Sequence, residues 1–79
     1  MVLVSNYYNL CIKVKEEKVK NIIDTYLKYM EEEGLEPEID KNISVKEFIN
    51  LPIDLKDHVL YHVIEVRNIR DFIKYLEED

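Results

Sequence analysis

The sequence predicts a small α+β fold, a single-layer sheet of two to three strands packed against helices in the order β-α-α-β-α. Three observations carry this prediction. Residues 9–15 alternate apolar and polar side chains, residues 16–33 repeat apolar side chains at helical spacing up to a glycine, and residues 58–66 are dense in β-branched and aromatic residues. Alternation marks a half-buried strand, a period near 3.6 an amphipathic helix, and a short β-branched run a covered strand.

In the first strand Leu10, Ile12 and Val14 share one face, with Cys11, Lys13 and Lys15 on the other. Val2-Leu3-Val4 offers a short partner strand, with Ser5-Asn6 near a turn that lacks the Asn-Gly or Asp-Gly signal of a tight hairpin. The helix predicted over Glu16–Glu33 has an apolar stripe of Val19, Ile22, Ile23, Tyr26, Leu27 and Met30. Glu16 and Glu17 suit the positive end of its dipole. Gly34 can adopt the left-handed conformation at C′, which places Leu35 at C″ against Met30, and Pro37 prevents continuation. A short helix follows at Ser44–Asn50. Ser44 and Glu47 form an S-x-x-E capping box, Ile43 and Phe48 a hydrophobic staple, and Pro52 with the constrained Leu51 ends the element.

Residues 58–66, His-Val-Leu-Tyr-His-Val-Ile-Glu-Val, are expected to form a central strand covered on both faces. The alternative is a helix in which Leu55, Val59, Val63, Val66, Ile69 and Ile73 align, with Asp54 as N-cap and Asp57 at N3. The last segment reads as helix either way, capped by Asn68, packing through Ile69, Phe72, Ile73 and Leu76, and fraying at Glu77-Glu78-Asp79. A two-stranded sheet is marginal alone, so a third strand from Val2–Val4 or pairing across a dimer is expected.

The 79 residues allow one small domain, 1–79. A core of this size supplies roughly 3–5 kcal/mol and commonly needs a staple or a partner. Cys11 is the only cysteine, which excludes an intrachain disulfide and the Cys/His zinc patterns. A homodimer is the expected remedy. No stretch approaches the roughly 20 apolar residues of a membrane span, and Met1–Ser5 lacks the basic region of a signal peptide. A cytoplasmic protein with a reduced thiol is expected. The chain has ten Ile but no Ala, Gln or Trp, and its charge is mostly Lys and Glu. That composition fits an archaeal source first and a viral one second, although six Asn weigh against high temperature.

Net charge is −6 and unevenly spread: residues 1–30 hold five lysines against three acids, residues 31–79 six bases against fourteen acids. Glu31, Glu32, Glu33, Glu36, Glu38 and Asp40 put six acids in ten residues without a base. Three of them fall in the last helical turn, where each opposes the dipole by a few tenths of a kcal/mol to about 1 kcal/mol. Two interpretations stand side by side: a solvated, self-repelling loop, or a docking strip for a basic partner.

Other chemistry has less to rest on. His58 and His62 would share one face of a helix, with Asp54 and Glu65 extending the row, and could then hold a divalent ion. On a strand they would stand about 13 Å apart at ~3.3 Å per residue, too far to chelate together. Cys11 could act as a nucleophile only beside a histidine, and half-burial in a strand suits an inert thiol. The single glycine, Gly34, ends a helix, so no glycine-rich loop cradles a phosphate. No enzyme activity and no cofactor are expected. Tyr7, Tyr8, Lys13, Lys15, Lys18 and Lys20 make the best case for nucleic acid, by stacking bases and meeting phosphates. Glu16 and Glu17 interrupt that patch, and the rest of the molecule repels a polyanion.

Leu51-Pro52-Ile53-Asp54-Leu55, followed by Val59, Leu60 and Val63, resembles the opening of an F-box, the short helical motif that docks ubiquitin-ligase adaptors. The resemblance spans thirteen residues and implies helix at 55–66. The function expected from the whole is a non-enzymatic protein–protein interaction or regulatory domain acting on a protein partner or on itself. A nucleic-acid-binding module is the alternative.

Overall fold

The computed structural model describes the backbone of residues 2–5 and all of residues 12–77. The elements in order are β1 (Val2–Ser5), β2 (Ile12–Val14), α1 (Glu16–Glu32), α2 (Val45–Ile49), α3 (Ile53–Arg67) and α4 (Ile69–Glu77). The expected β-α-α-β-α layer is thereby corrected: four helices pack as a bundle, and no strand lies between α2 and α4. β1 and β2 form only a short antiparallel ribbon, with Val2 opposite Val14 and Leu3 opposite Lys13. The expected strand residues Asn9–Cys11 and the final residues Glu78 and Asp79 lie outside the described residues.

α1 is the helix its stripe implies. Val19, Ile22, Ile23, Tyr26 and Met30 are buried, and Leu27 packs at the edge. It ends one residue earlier than expected, with Glu33 as the C-cap. The stop is a Schellman motif: the Leu35 N–H donates to the Met30 carbonyl at 2.8 Å and the Gly34 N–H to the Glu31 carbonyl at 3.2 Å, with Gly34 at φ +68°. In α2 both capping-box bonds form, Glu47 N–H to Ser44 Oγ at 3.1 Å and Ser44 N–H to Glu47 Oε1 at 3.2 Å. Phe48 drops from this turn into the core.

Residues 58–66 are helical, not a strand, and the reason lies in where the charges must go. A strand would place Glu65 on the same face as Val59 and Val63, burying a carboxylate without a partner. The helix buries Val59, Leu60, Val63 and Ile64 and turns Asp54, Tyr61 and Glu65 outward. The β-branched residues lose at most about 0.7 kcal/mol each in helix propensity, against about 1.5–3 kcal/mol for burying each side chain. The stripe also differs from the row Leu55, Val59, Val63, Val66, Ile69 and Ile73 read from the sequence. That row needs one continuous helix, but α3 ends at Arg67 and α4 begins after Asn68, and its far members leave the core: Val66 is 49% exposed, Ile69 36% and Ile73 43%. Packing of α4 therefore rests on Phe72 and Leu76, not on Ile69 and Ile73. Asp54 is not the N-cap; Pro52 holds that position and Asp54 stands in the first turn.

α3 is the central element. It lies against α1, α4 and β1, while α2 closes on α1. Two lysines tie helix ends together from inside. Buried Lys18 of α1 donates to the Tyr75 carbonyl near the end of α4, with its ammonium 4.5 Å from the centre of the Tyr75 ring. Buried Lys56 of α3 donates to the Ile49 carbonyl, the last of α2, at 3.1 Å. Each cation sits where a helix dipole is negative. α3 and α4 are joined by Asn68 alone, whose Oδ1 accepts from the Asp71 N–H at 2.9 Å. Its backbone, at φ 62° and ψ 160°, occupies a region almost confined to glycine.

Two substitutions of opposite sign test these backbone readings. Gly34→Ala is expected to destabilise by about 1 kcal/mol, and because an added methyl meets nothing within 4 Å the cost is conformational. Asn68→Gly is expected to stabilise, since it releases strain of about 1–3 kcal/mol while a glycine cap loses only a few tenths. Urea unfolding followed by circular dichroism reads both, and a destabilised Asn68→Gly would refute the strain at that joint.

Candidate functional site

The site begins where α1 stops. The Schellman turn reverses the chain at Gly34, and the segment that follows is held down by Ile39, which is buried. On either side of Ile39 the backbone is bonded. The Glu38 N–H donates to the Tyr26 hydroxyl at 3.0 Å, and Asp40 Oδ1 accepts from the Asn42 N–H at 2.8 Å. The Ile43 N–H closes the turn on the Asp40 carbonyl at 3.1 Å, immediately before the Ser44 cap. A segment of this composition would be expected to solvate freely; here it has a fixed path.

That path leaves Glu31, Glu32, Glu33, Glu36, Glu38 and Asp40 all exposed. Among the described residues none of the six has an ion-pair partner, and no base stands in the last turn of α1 to offset its dipole. Beside the strip lies a concavity of about 550 Å³, with Ile39, Ile43, Leu51 and Leu55 as apolar lining and Glu38, Asp40, Glu47, Lys46 and Asn50 as polar lining. A smaller recess of about 310 Å³ is lined by Leu27, Glu31, Leu35, Pro37 and Lys41. Leu35 is 50% exposed there. Acid therefore borders apolar surface on both sides of the segment.

Beneath the strip is a cluster that the sequence did not announce. Tyr26 is fully buried, and its hydroxyl lies 3.1 Å from His58 Nε2 as well as accepting from Glu38. The His58 and His62 rings meet edge to face with centroids 4.7 Å apart. Tyr29 and Tyr61 flank His62 at 5.5 and 5.7 Å. His62 Nδ1 is buried without a hydrogen-bond partner. Burial holds the His58 pKa below the ordinary histidine value, the adjacent His62 lowers it further, and the Glu38 charge partly opposes both. The Tyr26 pKa is raised, mainly by burial. A buried tyrosine in an apolar stripe requires a partner for its hydroxyl; that requirement, with two histidines one turn apart, was the available signal.

The other predicted residues are placed differently. The helix at 55–66 does bring His58 and His62 onto one face, but Asp54 and Glu65 are exposed, and among the described residues no group of three or more His, Cys, Asp or Glu could share a metal ion. The basic patch is dispersed. Lys13 is exposed, Lys15 half-buried, Lys18 turned inward to α4, and Lys20 exposed 3.9 Å from Asp24. Tyr7, Tyr8 and Cys11 lie outside the described residues. Among the described residues no helix is long and apolar enough to cross a membrane.

No protein-family model matches the chain, and neither the curated proteins nor the solved structures contain a significant match to it. The thirteen residues that resemble an F-box opening do begin a helix, yet their Leu51 and Leu55 line the concavity beside the acidic strip. No function is carried over from that motif.

The cluster sets an acid-sensitive stability. His58 takes up a proton less readily when folded than at its unfolded value of 6.5. The unfolded chain therefore binds more protons below that value, and stability falls as pH drops through and below about 6.5. Thermal melts across the range from about pH 7.5 to 5 are expected to show this loss, and to show less of it in His58→Gln. An unchanged pH profile in the variant would assign the loss elsewhere.

Proposed function

We propose that this chain is a non-enzymatic protein–protein interaction domain, a single cytoplasmic unit that docks a basic, amphipathic segment of a partner on the strip Glu31–Asp40 and the apolar concavity beside it. The observation that carries the reading is the order of that segment. Six carboxylates without an ion-pair partner among the described residues are held on a fixed path, three of them against the α1 dipole, next to apolar surface lined by Ile39, Ile43, Leu51 and Leu55. Helix stability alone does not select such an end. Charge around an apolar centre is the usual anatomy of a docking surface. The compartment follows from the lone cysteine, which suits a reducing environment.

A fluorescein-labelled synthetic helix with leucines on one face and lysines on the other is the direct probe. Binding is expected to weaken with salt and to fall roughly tenfold in Glu36→Lys with Glu38→Lys, as charge reversal at a rim requires. Leu35→Ser should weaken it further, whereas Glu16→Lys with Glu17→Lys, outside the strip, should not. Binding indifferent to the strip substitutions would overturn the reading. A single-stranded oligonucleotide retained at low salt and released by Lys13→Glu with Lys15→Glu would replace it with the nucleic-acid alternative.

Self-association is a second reading, carried by α4. Ile69 and Ile73 lie exposed one turn apart, among the charges of Arg70, Asp71, Lys74 and Glu77. Antiparallel pairing of two copies would cover both isoleucines. Light scattering at high micromolar concentration is expected to give twice the 9.5 kDa of the chain, and the monomer mass in Ile69→Lys with Ile73→Lys. A monomer in the unsubstituted protein removes this reading.

A further inference from the structure

We infer that docking at the acidic concavity is gated by protonation of His58 and relayed to the Glu38–Asp40 segment through the Tyr26 hydroxyl. The inference rests on the docking reading above and names a regulation for the same surface. Its basis is the placement of one hydroxyl between two nitrogens. The Glu38 N–H can only donate, so Tyr26 Oη accepts from it at 3.0 Å. The hydroxyl proton has no other acceptor among the described residues, so we assign it to His58 Nε2 at 3.1 Å. Nε2 accepts it only in the neutral ring, with the imidazole proton on Nδ1.

Protonating Nε2 turns that acceptor into a donor. Two donors then face each other across the same gap, and the Tyr26 proton must swing into surroundings where the ring is fully buried. The groups facing His58 are Tyr26 from α1, Glu38 from the segment after α1, and His62 from α3 itself, with Tyr29 and Tyr61 set against the His62 ring. The His62 ring meets that of His58 edge to face, with centroids 4.7 Å apart. Glu38 is the one carboxylate in that set, and it also lines the concavity. An imidazolium at His58 draws the Glu38 carboxylate inward and unsettles the bond that fixes its amide. The wall formed by Glu38, Ile39 and Asp40 loses negative charge and position together.

The test follows the Glu38 amide and the lysine–leucine peptide in parallel. His58→Gln retains an acceptor for Tyr26 and cannot titrate. In the unsubstituted protein the Glu38 amide resonance is expected to move with the midpoint of the His58 ring. Peptide binding is expected to weaken roughly threefold between about pH 7.5 and 5.5, the loss of about one exposed charge contact. Neither change is expected in His58→Gln, whose thermal melt at the higher pH verifies that it is folded. A Glu38 amide that stays still, or a His58→Gln variant with the same pH-dependent weakening, overturns the gating. A peptide that fails to bind at the higher pH overturns the docking reading and the gating with it; binding without pH dependence overturns the gating alone.

Discussion

α3 has to be covered on more than one side, and the rest of the molecule is arranged to meet that demand. Val59, Leu60, Val63 and Ile64 are buried, and no single neighbour shields them all. α1, α4 and β1 each take a share. In a chain this small such a central helix leaves little that is independent: α4 without α3 has only Phe72 and Leu76 to bury, and α2 contributes one aromatic ring. Small domains that spread one core over several short elements unfold as a unit. Even the acidic segment belongs to that unit, because Ile39 and the Tyr26 hydroxyl fasten it to the same interior.

What could be read from the residues divides along a physical line. α1 and α2 were legible because their ends carry local chemistry: a glycine that accepts positive φ, a serine and a glutamate that cap each other, prolines that stop a turn. These signals act within a few residues and survive any tertiary context. α3 was not legible, because Val, Ile and Tyr favour strands locally and only burial reverses the preference. The expectation that this run is covered on both faces fails with the strand: α3 buries Val59, Leu60, Val63 and Ile64 and leaves Tyr61, Glu65 and Val66 exposed. Ile69 and Ile73 were misplaced for a related reason, since apolar identity does not show that the chain turns at Asn68 and begins a new helix.

The candidate surface shows the same division. The six carboxylates were visible as a run of charge, and their exposure follows directly. Their fixed path was not visible, because it depends on Tyr26, thirty-two residues from His58, and on Ile39 reaching the core. Lys18 was counted with the basic residues near the start of α1, yet no property of the sequence around it reveals that α4 ends beside it. Charge tallies assume that charged side chains face water, and a lysine with a long apolar stem is the residue most able to break that assumption.

The two inward lysines have a consequence for the reactivity of the surface. All nine lysines lie within the described residues, and Lys18 and Lys56 are the two that are buried, with their ammonium groups at the ends of other helices. An acylating reagent attacks the unprotonated, accessible amine, so the exposed lysines label on the folded chain while these two wait for α4 or α2 to lift away. Their modification rates are thus a clock for the opening of each helix, read separately by mass from one sample. A chain that had lost α4 alone would expose Lys18 and still conceal Lys56.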